Sequence, residues 1–140
     1  MNELMEFIAR HPFISTGWLF LLVMLITSLV KRSVGKLVSS QEATLLVNRQ
    51  DGLWIDIRDL ASFRKGHIAG AHHIPLSQIE SGTPTLLEKH QATPIILVCT
   101  TGQTAQRAAS LLHKQGFTAL HVLRGGMSDW QGANLPLAKG

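Results

Sequence analysis

The chain has 140 residues and a formal net charge of +4, which leaves room for one ordinary domain with an appendage. Its single cysteine excludes an intramolecular disulfide, so nothing in the sequence requires an oxidising compartment. Most of the net charge comes from Lys31, Arg32 and Lys36, and such a local cluster argues against a nucleic-acid surface. We therefore expect no nucleic-acid partner.

The first unusual stretch is residues 13–30, which contain no charged side chain. A helix of this length reaches about 27 Å, close to the ~30 Å hydrocarbon thickness of a bilayer. A cleaved signal peptide is the alternative, because residues 33–35 form a passable cleavage site. However, the apolar run exceeds the ~7–15 residues of a signal peptide. In addition, Glu3 and Glu6 outweigh Arg10 before it. We predict a single transmembrane helix.

The orientation of this span is predicted from its flanks, because basic residues collect at the cytoplasmic end. Lys31, Arg32 and Lys36 follow the apolar run. We therefore expect a single-pass inner (plasma) membrane protein with its amino terminus outside and its domain in the cytoplasm. The same cations favour contact with acidic membrane lipid, although topology signalling alone also explains them. Residues 1–33 are predicted to form the tail and anchor, and residues 34–140 the domain.

After the anchor, segments typical of strands alternate with segments typical of helices. The predicted strands are 36–38, 53–57, 72–74, 95–98 and 119–123. The predicted helices are 40–48, with the Ser40 hydroxyl in a capping position, then 85–90, 105–115 and 127–131. Residues 58–70 are polar and punctuated by glycine, and residues 81–84 indicate a loop. This alternation predicts an α/β fold with a mostly parallel sheet covered on both faces.

The most informative stretch runs from Ile95 to Gln115. Residues 95–98 are apolar and predict a buried strand, and the helix after them has one apolar face, formed by Ala105, Ala108, Ala109 and Leu112. Cys99 should therefore lie at the carboxyl end of a strand, just before a helix N-terminus. Open α/β sheets bind ligands there, and the free amides favour an anion. This position predicts a reactive thiol whose thiolate forms easily. The alternative is a small buried apolar residue.

Four motifs, in this order along the chain, resemble a single rhodanese-like domain. They are Asp56-Ile57-Arg58, then Phe63-Arg64-Lys65-Gly66-His67-Ile68-Ala69-Gly70 continuing to Pro75, then Cys99 with Gly102, then Leu123-Arg124-Gly125-Gly126 continuing to Trp130. The resemblance covers roughly residues 38–136 and implies a three-layer α/β domain with a mostly parallel sheet. With its amino-terminal span, the chain is similar to small membrane-anchored rhodanese-like proteins of bacteria.

The resemblance implies a sulfurtransferase that works without a cofactor. Cys99 would be the nucleophile that accepts sulfane sulfur as a persulfide and passes it to a small thiol or a protein thiol. Backbone N–H groups would bind the anionic sulfur, and they belong to Thr100, Thr101, Gly102, Gln103, Thr104 and Ala105. Framework residues would shape the pocket wall, namely Asp56, Arg58, His67 and Gly70. His72 and His73 are adjacent and would point to opposite faces of a strand, so no metal is expected.

One departure from the family pattern concerns the loop, which in active members usually reads Cys-x-x-Gly-x-Arg-Ser. Here Thr104 stands at the Arg position and Ala105 at the Ser position. The missing guanidinium is the group expected to hold an anionic donor such as thiosulfate. Arg107 is the nearest substitute, but the predicted helix turns it to solvent. Thr104 is also a candidate N-cap of that helix.

Two hypotheses follow from this departure. In the first, the domain is a sulfurtransferase that takes sulfur from a protein or small persulfide and works poorly with thiosulfate. In the second, it is a catalytically weak module that binds a membrane-protein partner. A phosphatase of the related fold would need Cys-x5-Arg, and the residue six positions after Cys99 is Ala105.

Overall fold

The computed structural model describes residues 1–30 and 34–140 and divides the chain into two compact units, Met1–Arg32 and Ser33–Gly140. Lys31 and Arg32, which support the predicted orientation, lie outside the described residues, as does the predicted boundary after residue 33. The first unit contains helices α1 (Asn2–Arg10) and α2 (Pro12–Val30). Within the described residues, the stretch Pro12–Leu29 is long and apolar enough to span a membrane.

The second unit is built on one parallel sheet, which has five strands within the described residues. Its strand order is β1-β5-β4-β2-β3, so β4 is central. The strands are β1 (Lys36–Val38), β2 (Leu53–Asp56), β3 (His72–His73), β4 (Ile95–Val98) and β5 (Leu120–Leu123). The helices are α3 (Ser40–Gln50), α4 (Leu60–Lys65), α5 (Leu76–Glu80), a 3-10 turn (Thr85–Leu87), α6 (Gln103–Lys114) and α7 (Gly126–Gly132). The predicted α/β fold with a mostly parallel sheet is confirmed.

The central strand is buried on both faces, as expected for a parallel sheet covered by helices. Ile95 and Leu97 belong to the core beneath α6, whereas Ile96 and Val98 belong to the core beneath α3 and α7. This division follows from the alternation of side chains along a strand. Cys99 continues the first set and belongs to the core on the α6 side.

The structure differs from the sequence prediction mainly in its short helices. Helix α1 falls in the predicted tail, α4 in the polar stretch 58–70 and α5 in residues 76–80, for which no helix was predicted. Helices α4 and α5 have six and five residues, which are too few to show a clear period. The predicted helix at 85–90 is a 3-10 turn of three residues. The cap of α3 is Ser39, not Ser40, because the Glu42 N–H donates to Ser39 Oγ at 3.2 Å.

Candidate active site

The Cys99 side chain lies at the carboxyl end of β4 and is only 4% exposed. Two backbone amides donate to its sulfur: Gly102 N–H, with nitrogen 2.9 Å from Sγ, and Ala105 N–H, at 3.4 Å. Converging amides of this kind stabilise a negative charge, because each presents its positive end to the same point. The arrangement therefore suits a thiolate, or a sulfur atom bound to it.

The loop that holds these amides depends on Gly102, which has φ +96° and caps the N-terminus of α6. A Cβ at this position would meet Leu123 O at 3.5 Å, which is ordinary contact. The glycine is therefore required by the left-handed backbone and not by lack of space. The prediction that Thr104 caps this helix is wrong, since Gly102 occupies the cap and Thr104 is the second helical residue.

The other loop residues with side chains comprise one that is buried and four that are exposed. Ala105 is fully buried under the sheet, as its place on the apolar helix face predicts. The exposed members are Thr100, Thr101, Gln103 and Thr104. The amides of Gly102 and Ala105 thus point to the sulfur, while the polar side chains of the loop face outward.

The N-terminus of α7, which the sequence interpretation left without a role, holds the Cys99 loop in place. Met127 N–H donates to Cys99 O at 2.8 Å, and Ser128 N–H donates to Thr100 O at 3.0 Å. Gly126 has φ +57°, and a Cβ there would overlap the carbonyl groups of Cys99 and Thr100. The sequence contained a signal for this contact, because the glycine pair follows β5, and the carboxyl ends of the neighbouring parallel strands β4 and β5 meet at one edge of the sheet.

The Asp56–Arg58 pair lies at the carboxyl end of β2, whose last residue, Asp56, is opposite Val98 in the β2–β4 register. Arg58 Nη2 is 2.8 Å from Asp56 Oδ2, and the two side chains are 8% and 1% exposed. Arg58 Nε donates to both Asp56 oxygens at 3.0 and 3.1 Å, and Arg58 Nη2 also donates to Gly66 O at 2.8 Å. The guanidinium is therefore engaged by a buried carboxylate and by the loop beyond α4.

His67 and Gly70 belong to the same loop region but lie in different surroundings. The His67 ring stacks on Phe63 with centroids 3.8 Å apart, and its Nδ1 is 2.8 Å from Phe63 O. Its backbone pairs with Ala138 near the carboxyl terminus. Gly70 is exposed in a turn with φ +83°. The structure thus connects His67, through neighbouring Gly66, with Arg58, while Gly70 lies at the surface.

Arg107, the nearest candidate for the missing loop arginine, is directed elsewhere. Its Nη2 is 3.1 Å from Glu80 Oε1, and its side chain is 68% exposed. This placement agrees with the predicted solvent face of α6. In this arrangement the Arg107 charge is paired with a carboxylate on α5 and points outward.

Comparison with known proteins now identifies the family. Residues 39–133 match the model of the rhodanese-like domain. The protein YibN of Escherichia coli is 40% identical, with 100% of this chain and 99% of that protein covered. The thiosulfate sulfurtransferase GlpE of Pseudoalteromonas translucida is 35% identical over 70% of this chain and 90% of its own length. A rhodanese-related crystal structure from Thermoplasma volcanium shares the fold, with a TM-score of 0.61 at 18% identity over 74% of this chain and 97% of that chain. The chain therefore belongs to the rhodanese-like domain family, and a thiosulfate sulfurtransferase is among its relatives.

Proposed function

We propose that this protein is a membrane-anchored sulfurtransferase that carries sulfane sulfur as a persulfide on Cys99. The observation that carries the proposal is the pair of amides, from Gly102 and Ala105, that donate to Cys99 Sγ at 2.9 and 3.4 Å. The relative that is a thiosulfate sulfurtransferase, from Pseudoalteromonas translucida, supports it. In the proposed site, the backbone N–H groups of residues 100–105 bind the anionic sulfur, and the framework residues Asp56, Arg58, His67 and Gly70 keep the surrounding wall in place.

The proposed transfer has two displacement steps that balance without a cofactor. The Cys99 thiolate attacks the outer sulfur of a persulfide donor, the S–S bond of the donor breaks, and the donor thiolate leaves with the electron pair. An acceptor thiolate, from a small molecule or a protein, then attacks the outer sulfur on Cys99 and restores the Cys99 thiolate. The amides of Gly102 and Ala105, which donate to Cys99 Sγ, stabilise the thiolate before the first step and after the second.

The proposed donor is a protein or small-molecule persulfide, and thiosulfate is a poor one. A dianion needs a fixed cation in the loop, and Thr104 stands where the family carries arginine. Arg58 and Arg107 are committed to other partners, since Arg58 is paired with Asp56 and Arg107 with Glu80. The exposed side chains of the loop therefore offer the sulfur donor hydroxyl and amide groups, from Thr100, Thr101, Gln103 and Thr104.

We further propose that the anchor crosses the inner membrane once, with the amino terminus outside and the domain in the cytoplasm. The long apolar stretch Pro12–Leu29 and the basic residues that follow it support this topology. Deletion of residues 1–33 should release a soluble folded domain, because the second unit has its own sheet and cores. A cytoplasmic reporter fused after Gly140 should be active and a periplasmic reporter silent, and the opposite pattern would reverse the topology.

A second candidate function is a catalytically weak module that binds a membrane-protein partner. Two observations favour it: Thr104 replaces the loop arginine, and the Cys99 side chain is only 4% exposed. A sulfur atom so deeply placed reacts slowly with donors that the loop does not bind. This candidate predicts that the domain is folded and stable but acquires no sulfur.

Intact mass spectrometry of residues 34–140 tests the two candidates against each other. The domain is exposed separately to a small persulfide and to thiosulfate, with the Cys99→Ser variant as control. We expect one added sulfur atom from the persulfide, much less from thiosulfate, and none on the variant. If wild-type protein gains no sulfur from any donor, the sulfurtransferase proposal is wrong and the binding module is favoured.

A further inference from the structure

Helix α1 carries a pattern that the proposed function does not use. Its side chains separate by polarity around the helix, with apolar groups on one side and polar groups on the other. The apolar side chains are Leu4, Met5, Phe7 and Ile8, and each is 48–68% exposed. The polar side chains are Asn2, Glu3, Glu6 and Arg10. A helix that exposes a whole apolar face needs a partner surface for it.

Helix α1 is joined to α2 by one residue. His11 ends α1 with its N–H bonded to Phe7 O at 3.0 Å, and Pro12 begins α2, where a missing N–H costs no hydrogen bond. Residues of both helices line one apolar groove, namely Leu4, Phe7, Ile8, Ile14, Trp18 and Leu22. The exposed apolar face of α1 is therefore continuous with the apolar surface of α2.

The two helices differ in the way expected for two positions in a bilayer. A helix that is apolar all round crosses the membrane, whereas one with a charged face and an apolar face lies in the plane of the interface. Helix α1 carries three charged side chains, those of Glu3, Glu6 and Arg10, whereas α2 carries none. We propose that α1 lies in the outer interface of the membrane, with its apolar face among lipid chains and its charged face in water.

This inference rests on the proposed anchor and goes beyond it, because it assigns residues 2–10 a surface and a partner. The partner is the lipid surface itself, since the face of α1 continues the surface that the span would present to lipid. With carboxylates on its polar face, α1 binds through apolar burial and not through attraction to anionic headgroups. An interfacial helix one residue away from a span restrains the depth at which the span sits.

The test uses the full chain reconstituted in phosphatidylcholine vesicles. Single nitroxide labels are placed at Leu4→Cys, Glu6→Cys and Leu21→Cys in a Cys99→Ser background, which leaves one thiol for each label. Collisions with oxygen, which concentrates in lipid, are compared with collisions with a water-soluble nickel chelate. We expect the Leu4 label to lie about 5–10 Å below the interface. The Glu6 label, on the opposite face, should collide freely with nickel.

The label at Leu21, on the proposed span, separates a failure of this inference from a failure of the anchor. If it is open to nickel, or if the chain does not float with the vesicles, the anchor proposal is wrong and this inference falls with it. If it is in lipid while the Leu4 and Glu6 labels are equally open to nickel, only the interfacial helix is wrong. Spin–spin broadening at Leu4 that disappears on dilution with unlabelled chain would mean that a second copy covers this face, which also overturns the inference.

Discussion

Replacing Thr104 with arginine should raise thiosulfate-dependent sulfur transfer. Thr104 is exposed and is the second residue of α6, whose N-terminal amides converge on Cys99. An arginine at this position would supply a cation at the place where active family loops carry it, beside the sulfur. The amides of Gly102 and Ala105 remain, so the change adds donor binding without rebuilding the sulfur site.

The size of the effect follows from the interaction that is added. A hydrogen bond to a charged group contributes about 1.5–3 kcal/mol. Because each ~1.4 kcal/mol corresponds to a factor of ten, kcat/KM for thiosulfate should rise roughly ten- to a hundredfold. Thr104 is not the helix cap, so no capping bond is lost. A cation in the first turn of a helix costs about 0.3–1 kcal/mol through the helix dipole, so the melting temperature should fall only slightly.

The assay follows thiosulfate-dependent sulfur transfer and compares two arginine variants. Gln103→Arg is the matched control, since it adds the same charge one residue earlier on an exposed position. It should raise the rate far less, because its side chain leaves the helix in a different direction. Equal gains in both variants would mean that net charge matters and position does not. If Arg107→Ala abolishes the native activity while Thr104→Arg adds nothing, Arg107 is the anion site and our placement is wrong.

Three further predictions concern the stability of the domain, and each is measured by urea unfolding of residues 34–140. Gly126→Ala should lower the free energy of unfolding by roughly 2–5 kcal/mol and remove most persulfide loading, because the new Cβ overlaps the Cys99 loop and the backbone there is left-handed. The control is Gly132→Ala, which has open space around it and should change neither quantity. Asp56→Ala should cost about 3–5 kcal/mol by leaving a buried guanidinium unpaired, and a cost under ~1 kcal/mol would contradict this account. Burial first, and then Lys36, lower the pKa of His121 below its ordinary 6.5. The folded state therefore binds fewer protons than the unfolded chain, so stability should fall as pH drops below 6.5, and less steeply in His121→Gln.

The long periodic elements of this fold could be predicted from the sequence, and the short ones could not. Helix α6 has its predicted buried face, because four apolar positions at helical spacing over twelve residues form a clear pattern. Helix α4 has six residues and buries none of them, and it is held by Asp59, whose carboxylate accepts from Ser62 N–H and Oγ–H. A local cap of this kind leaves no periodic trace in the hydrophobic pattern.

Some features of the candidate site could likewise be predicted from the sequence, and others could not. The place of Cys99 could be predicted, since it depends on a strand followed directly by a helix. That the glycine pair after β5 lies at the same sheet edge as Cys99 could also be predicted, but the individual hydrogen bonds of Met127 and Ser128 could not, because they depend on the exact register of β4 with β5. The capping position also escaped prediction, because Gly102 caps α6 through a left-handed backbone, whereas threonine is the more usual choice.

In the proposed function, the binding of sulfur and the choice of donor depend on different parts of the loop. Charge on the sulfur is met by backbone amides, which no side-chain substitution removes as long as the loop keeps its shape. The shape depends on Gly102 and Gly126, whereas Thr104 is exposed and contributes only its side chain to the rim. Changes at the glycines should therefore lower transfer from every donor in the same proportion, because they displace the amides. Changes at Thr104 should alter the ratio between thiosulfate and persulfide, so measuring both donors for each variant distinguishes damage to the sulfur site from a change in specificity.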